Sequence, residues 1–296
     1  MNKSFTLIEI LVVIVVIGIL SAFILVGMSS ITSSANIAKS QAFENSIRNS
    51  LLTNLVSEWK FNGNANDSWG INNGTVSSAT LTSNGCVRDS CYSFDGTDDI
   101  ISFGNDASLS MRTGDHTVSI WVKFNTPLSS IDYETVIYCG ASGAAGDKGY
   151  WIRRELGTNR IWGGLNDGST TRVGGYLSAS GSAVANTWYH LVVLFDRDDS
   201  AKAYFNAVQA GSFVISTRPG DIQNTDSLKM GAYISTMHRL NGYIDEAKIY
   251  HSIISSQLIN QEYYSGINNL LVNNEIDDDN FMQRLADLRN NLATYE

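Results

Sequence analysis

The chain has 296 residues, a formal net charge of −9 and a pI near 4.9. This acidic balance argues against nucleic acid or an anionic lipid surface as a partner, because both require a basic face. The length exceeds one average domain, but a β-sandwich can run beyond about 200 residues, so one large domain on a stalk accounts for the chain.

An apolar run, FTLIEILVVIVVIGILSAFILVGM, occupies residues 5–28 and carries a single charge, Glu9. From Ile10 onward it can cross a hydrocarbon core of about 30 Å as a helix that rises about 1.5 Å per residue. Lys3 precedes the run and the next basic residue is Lys39, which favours a cytoplasmic N-terminus with the rest of the chain outside. A shallow acid at the membrane interface and an ordinary secretory signal ending near Ser21 are the competing interpretations.

The short leader and the pentad from Phe5 to Glu9 resemble the start of type IV pilins and pseudopilins. The resemblance implies that a prepilin peptidase cuts between Ser4 and Phe5 and methylates the new amine, although the family usually has Gly where this chain has Ser4. An ionised carboxylate is costly in lipid unless it is paired. We therefore expect Glu9 to pair with the Phe5 amine of a neighbouring pilin subunit.

Helical periodicity continues beyond the apolar run, because Phe43, Ile47, Leu51 and Leu55 recur every four residues. After the leader that the resemblance implies over residues 1–4, this spacing predicts one long transmembrane and stalk helix over residues 5–57.

Residues 58–266 show a β pattern, in which short alternating segments are separated by Gly, Asn, Asp and Ser. In the clearest segment, residues 117–124, apolar side chains occupy every second position. Further strands are predicted over 99–103, 149–156, 188–196, 201–206, 227–233 and 242–250. Many short strands without intervening helices predict two packed antiparallel sheets.

The order of motifs in this region resembles the concanavalin A-like, laminin G-like jelly-roll family. The motifs are Glu58-Trp59-Lys60-Phe61, Asn66-Asp67-Ser68, Cys91 to Asp99, Val118-Ser119-Ile120-Trp121-Val122, Trp188-Tyr189-His190-Leu191, Ala203-Tyr204-Phe205-Asn206 and Leu240 to Glu246. The resemblance implies a lectin-like head that binds an extracellular glycan or protein.

Three cysteines occur in the chain, and Cys86 and Cys91 are close enough to close a small loop. A location outside the cytoplasm permits disulfides, so a Cys86–Cys91 bridge is favoured over two free thiols. Cys139 is interpreted as a buried small hydrophobe.

Residues 267–296 are predicted to form a polar linker and a short amphipathic helix. Aspartates at 277–279 can cap that helix, and Phe281, Leu285, Leu288 and Leu292 fall on one stripe. Packing of this helix on its own domain, or fraying, is favoured over docking on a partner subunit.

Catalytic chemistry has little support in the sequence. The strand-borne Glu-x-Asp-x-x-Glu of related glucanases, which supplies the two carboxylates of glycoside hydrolysis, is missing, so we expect no enzyme activity. Calcium is the candidate ion. The family resemblance places its ligands at Asp67 and Asp245, and an Asx turn and backbone hydrogen bonds are the alternative roles.

Glycan binding requires aromatic faces beside polar groups. Tyr150, Trp151, Trp162 and Tyr176 lie in a Gly-rich segment and are the candidates, with a core role as the alternative for each. The nearby Arg153, Arg154 and Arg160 are interpreted as solvated surface residues, with a local basic patch as the alternative.

Three functional hypotheses follow. The first is a pilin-like subunit, minor or at the tip of a surface filament, whose head adheres to a ligand. The second is a single-pass membrane protein that displays the same glycan-binding head without being cleaved. The third is a pseudopilin of a secretion or DNA-uptake machine.

Overall fold

The structure is a computed structural model that describes residues 54–125, 132–140, 146–233 and 238–293, with side chains up to residue 290. The chain divides at Thr53 into two units, and Asn54–Glu296 form the second. Residues 5–53 of the predicted transmembrane and stalk helix lie outside the described residues.

Two antiparallel sheets make up the second unit. The first sheet has eight strands, in the spatial order β13 (Val208–Val214), β12 (Ser200–Phe205), β11 (Trp188–Phe195), β6 (His116–Phe124), β15 (Asn241–Tyr250), β4 (Cys91–Asp95) and β3 (Thr80–Thr82), with β1 (Leu55–Trp59) also paired to β15. The second has seven strands, in the order β10 (Val173–Tyr176), β9 (Arg160–Asp167), β8 (Lys148–Glu155), β7 (Tyr133–Gly140), β14 (Leu228–Met230), β5 (Ile100–Ser102) and β2 (Thr75–Ser77).

The core lies between the sheets and is built by the period-two alternation of the strands. On β6, Val118, Ile120, Val122 and Phe124 all point into one buried cluster that draws on both sheets. Trp59 on β1 joins the same cluster and packs against Phe103, with ring centroids 4.3 Å apart. The predicted jelly-roll sandwich is therefore confirmed, and every described residue of this core lies in the second unit.

The predicted stalk boundary at Ser57 is wrong by three residues, because β1 already begins at Leu55. Leu55 pairs with Tyr250 and Trp59 with Ala247 of the last strand. The four-residue spacing that ends at Leu55 therefore does not extend the helix that far, since hydrogen bonds to β15 fix this segment as a strand.

The prediction that β structure continues to Gly266 is also wrong. Helix α1 spans Ser256–Val272, with the Ser255 hydroxyl accepting a hydrogen bond from the Leu258 N–H at 3.3 Å. Its buried stripe consists of Ile259, Tyr263, Gly266, Ile267 and Leu270. The Gly and Asn residues of this segment are typical of loops, and they conceal the helical spacing of its apolar residues.

Helix α1 covers the outer face of the eight-stranded sheet through a buried polar network centred on Glu262. The Glu262 carboxylate accepts hydrogen bonds from Lys248 Nζ and Ser119 Oγ, both at 2.7 Å, and from the Tyr250 hydroxyl at 2.8 Å. Burial alone would raise the pKa of Glu262, but Lys248 and His190 outweigh it and hold that pKa below its usual value. His190, which lies 3.6 Å from the carboxylate, therefore has a structural role.

The short C-terminal helix is confirmed as α2, Asp278–Ala293. Asp277 caps it, because its carboxylate accepts a hydrogen bond from the Asn280 N–H at 2.8 Å. Leu288 is buried and Arg284 donates to the carbonyl of Trp188, so the helix packs on its own domain. The residues predicted as a polar linker from 267 onward are helical up to Val272.

The Cys86–Cys91 disulfide is present, with the two Cα atoms 5.5 Å apart. Cys139 is buried and free, and burial raises the pKa of its thiol to about 12. It is therefore a poor nucleophile, in agreement with the prediction of a buried small hydrophobe.

Candidate ligand-binding site

Tyr150 is not available to a ligand, contrary to the prediction from sequence. Its side chain points inward from β8 into the core, 1% exposed, and its hydroxyl donates to the carbonyl of Leu109 at 3.2 Å. The reason is the strand alternation, which sends Tyr150 and Ile152 inward and Trp151 outward.

Trp151 and Trp162 lie together on the outer face of the seven-stranded sheet, with ring centroids 5.4 Å apart. Trp151 is buried against Tyr138 and Tyr233, whereas Trp162 is half-buried. Tyr176, the register partner of Trp162 on β10, is 46% exposed. We call Tyr138, Trp151, Trp162, Tyr176 and Tyr233 the aromatic face.

Glycines on β9 and β10 make room for these rings. A Cβ at Gly164 would lie 2.5 Å from Cζ2 of Trp151, and one at Gly174 would lie 3.2 Å from Cζ2 of Trp162. These glycines, which suggested loops in the sequence, therefore lie on strands, where the missing side chains let the tryptophan rings pack directly on the backbone.

Arg153 stands among the rings of the aromatic face and is 3% exposed. Its guanidinium carbon is 3.8 Å from the ring centroid of Tyr233 and 5.9 Å from those of Tyr138, Trp151 and Trp162. The interpretation of this arginine as a solvated surface residue is wrong.

Arg154 is also buried, because it points to the opposite side of β8. It pairs with Glu134, with Nη1 3.4 Å from Oε2, and lies over the ring of Phe124. Arg160, the third arginine of the segment, lies over the ring of Tyr176 at 4.5 Å.

A polar cavity of about 450 Å³ opens beside the aromatic face. Its lining residues are Asp95, Gly96, Thr97, Asp132, Tyr133, Glu134, Leu156, His238, Arg239 and Asn241. Tyr133 joins the two features, since its ring is 5.7 Å from that of Trp162 and 5.4 Å from that of His238.

Most of these cavity residues escaped the sequence analysis. Asp132 and Tyr133 are far from His238 in the chain, and none of the three belongs to a local motif, although His238 Nδ1 lies 2.7 Å from a carboxylate oxygen of Asp132. Asn241 and Asp95 did appear in the family motifs, which is the one signal that could have pointed to this end of the sandwich.

The two predicted calcium ligands instead hold backbone amides. Asp67 accepts hydrogen bonds from the N–H groups of Glu58, Trp69, Gly70 and Asn72 at 2.8 to 3.1 Å. Burial opposes ionisation of Asp67, but these amides outweigh it and lower its pKa.

Asp245 is fully buried and accepts from Val87, Arg88 and Glu246 N–H groups at 2.9 to 3.0 Å. In the described part of the chain these two residues join no group of three metal-ligating side chains.

One such group exists among the described residues, formed by Asp95, Asp98 and Asp99, whose ligand atoms lie within 4.8 Å of one another. Burial raises the pKa of Asp99, and the charges of its two neighbours add to the effect. The carboxylates have the oxygen chemistry that Ca²⁺ prefers, so this cluster could hold a metal.

The processing and assembly residues Ser4, Phe5 and Glu9 lie outside the described residues. Within the described part of the chain, neither helix has the length and apolar character needed to cross a membrane.

Comparison with known proteins identifies two regions of the chain. Residues 1–25 match the prokaryotic N-terminal methylation motif, which is found in type IV pilins and indicates membrane anchoring and surface exposure. Residues 95–260 match the concanavalin A-like lectin/glucanases superfamily. No curated protein matches the chain.

Among solved structures, the fold is similar to the binding domain of Paraclostridial Mosquitocidal Protein 1, with a TM-score of 0.61 and 16% identity over 74% of this chain and 53% of that one. It is similar to the ligand-binding domain of botulinum neurotoxin serotype D in complex with N-acetylneuraminic acid, with a TM-score of 0.58 and 18% identity over 74% and 52%.

The fold is also similar to the binding domain of botulinum neurotoxin serotype G, with a TM-score of 0.56 and 18% identity over 72% of this chain and 51% of that one. The chain spans about half the length of these structures, and at such identities the likeness shows the fold alone. The family match covers more than half of the chain, so this protein belongs to the concanavalin A-like lectin/glucanases superfamily and carries a type IV pilin N-terminal motif.

Proposed function

We propose that the protein is a type IV pilin-like subunit, minor or at the tip of a surface filament, whose lectin-like head binds extracellular glycans. The observation that carries the proposal is the combination of an N-terminal methylation motif over residues 1–25 with a concanavalin A-like head. The partners on this proposal are other pilin subunits, the prepilin peptidase, the membrane and a glycan ligand.

Assembly rests on Phe5 and Glu9. In a bundle of helices an unpaired carboxylate is costly, so only a stagger that brings Glu9 to the free amine of a neighbouring Phe5 is tolerated. Mass spectrometry of the full-length protein from cells with a prepilin peptidase should find methylated Phe5 at the mature N-terminus. An intact Met1 would instead support the uncleaved, membrane-tethered protein.

Filament incorporation is tested by Glu9→Ala in the full chain, imaged with an antibody to the head. We expect the variant to be cleaved normally but to be lost from filaments. Head signal restricted to filament ends supports the tip position, signal along the whole filament supports a major subunit, and a protein confined to the cell envelope supports a pseudopilin role.

Ligand binding by the head is proposed at the aromatic face and the adjoining cavity. Trp162 and Tyr176 offer partly exposed rings on which a sugar can stack, and the cavity supplies hydrogen-bonding groups from Asp132, His238 and Asn241. A neighbouring fold that was solved with N-acetylneuraminic acid supports glycan as the ligand class.

A glycan array probed with the head, residues 54–296, tests this site. Tyr176→Ala should reduce binding, whereas Tyr264→Ala, a tyrosine of similar 48% exposure on helix α1, should not. Equal binding by both variants would remove Tyr176 from the site, and a wild-type head that binds no glycan would remove the lectin part of the proposal.

The head is proposed to act without catalysis, and an assay for release of reducing sugar from any bound glycan tests this. Calcium stays a prediction, now directed to Asp95, Asp98 and Asp99. If the cluster holds calcium, chelation should lower the melting temperature of the wild-type head but not that of Asp98→Asn.

A further inference from the structure

Arg153 is a buried cation with incomplete hydrogen bonding. The hydroxyl of Tyr233 is hydrogen-bonded to the guanidinium. Nε and Nη2, however, have no hydrogen-bond partner and are shielded from solvent. Among the described residues no carboxylate oxygen lies within 4.0 Å of Arg153, in contrast to Arg154, which has Glu134. A buried guanidinium without an anion is unfavourable, because removal from water is not compensated by a paired charge.

The internal segments that the structure does not describe cannot supply the missing acid. Residues 126–131, 141–145 and 234–237 contain neither Asp nor Glu. A second cation adds to the charge on this face, since the guanidinium of Arg172 lies 5.5 Å from the ring centroid of Trp151. Two guanidinium groups therefore lie among these rings, while Glu155, which accepts a hydrogen bond from the Tyr176 hydroxyl at 3.4 Å, places a negative charge at the edge of the face.

Three unpartnered atoms beside these rings are hydrogen-bond donors. They are Nε and Nη2 of Arg153 and Nε1 of Trp151, which is also buried without a partner. An indole nitrogen and a guanidinium can only donate. A ligand that satisfies all three must be an acceptor, and a planar carboxylate matches the fork of a guanidinium.

Sugar-stacking surface lies next to these donors. Trp162 is half-buried and its ring centroid is 5.9 Å from the guanidinium carbon of Arg153, and Tyr176 is exposed beyond it. Tyr233 covers the guanidinium at 3.8 Å, so an oxyanion reaches it only when that ring turns aside.

We propose that the aromatic face binds an acidic sugar, with the sugar ring on Trp162 and its carboxylate at Arg153 and the Trp151 N–H. The inference rests on the proposed glycan-binding function and adds the chemical class of the ligand. It accounts for the missing acceptors, the aromatic rings and the two arginines together.

Isothermal titration of the head, residues 54–296, tests the inference with N-acetylneuraminic acid, neutral N-acetylglucosamine and inorganic sulfate. We expect the acidic sugar to bind at least about tenfold more tightly than either of the others, with an affinity that falls as salt is added. Arg153→Met, which keeps the length of the side chain, should abolish the preference. Arg289→Met, which removes an exposed arginine of helix α2, should keep it.

The contrary outcomes separate the two proposals. If the acidic and neutral sugars bind equally, or if Arg153→Met retains the preference, the acidic-sugar inference is wrong while the lectin function stands. If sulfate binds as tightly as the acidic sugar, Arg153 binds an anion without recognising a sugar, and the acidic-sugar inference is wrong. If the wild-type head also binds none of the glycans on the array, the acidic-sugar inference and the lectin part of the proposed function both fail. Should Arg153→Met not fold, the wild-type preference and the weaker preference expected of Arg153→Lys decide the question.

Discussion

Gly266 lies where helix α1 approaches the eight-stranded sheet most closely, and its replacement by alanine should destabilise the head. A Cβ at this position would lie 2.0, 2.5 and 2.9 Å from three atoms of the Trp121 indole, whereas ordinary contact begins near 3.4 Å. The ring cannot yield freely, because it packs against both His190 at 5.1 Å and Tyr263 at 5.9 Å, and these two rings also contact each other at 6.3 Å. The helix must therefore move outward by about 1.4 Å or the ring must leave its stack.

The expected magnitude follows from two opposing effects. Overpacking a core costs about 1 to 3 kcal/mol of stability, and a Cβ contact of 2.0 Å belongs at the upper end of that range. Alanine gains roughly 1 kcal/mol over glycine inside a helix. The net loss is about 2 kcal/mol, or about 4 to 8 °C in melting temperature for a domain of this size.

Thermal unfolding of the head followed by circular dichroism measures the effect. Asn268→Ala, on the exposed side of the same helix, should raise the melting temperature slightly because it gains helix propensity without a clash. Adding Trp121→Phe to Gly266→Ala should destabilise less than the sum of the single changes, since the smaller ring makes room for the methyl group. A Gly266→Ala variant at or above the wild-type melting temperature would refute the packing argument.

Three further changes test other parts of the head. Glu262→Ala should lower the free energy of unfolding by about 3 kcal/mol in urea denaturation, at the low end for breaking a buried ion pair, because Lys248 loses its carboxylate at 2.7 Å and keeps only the one of Glu58 at 3.8 Å. A loss below about 1 kcal/mol would contradict the network. Replacing both Cys86 and Cys91 by serine should lower the free energy of unfolding by about 2 kcal/mol in the same assay, as loop-closure entropy predicts for so short a loop. Equal stability of the wild-type and the double-serine head under oxidising conditions would count against the bridge. Burial, with the charges of His251 and Arg197, holds the pKa of His116 well below 6.5. The stability that the neutral imidazole contributes is therefore complete above pH 6.5 and is lost as the pH falls below 6.5, by up to about 1.4 kcal/mol per pH unit. His116→Phe should flatten this dependence of stability on pH, and an unchanged slope would exclude His116 as its source.

Features that depend on a local pattern of residues were predictable from the sequence. The pentad ending at Glu9 identified the N-terminal motif, and the alternation over residues 117–124 predicted a strand whose inward face lies in the core. The five-residue separation of Cys86 and Cys91 was sufficient to favour a bridge, because a loop this short holds the two thiols near each other whatever the rest of the fold does.

The tertiary structure decided which side chains are available for function. Tyr150 and Trp151 are neighbours in the chain, yet one belongs to the core and the other to the aromatic face, because successive residues of a strand face opposite ways. Asp132 and His238 meet only because the ends of distant strands come together, and a helix covers Trp121 although its sequence is rich in loop-forming residues. Burial and pairing depend on contacts between residues far apart in sequence, and for that reason the role of Arg153 could be inferred only from the folded chain.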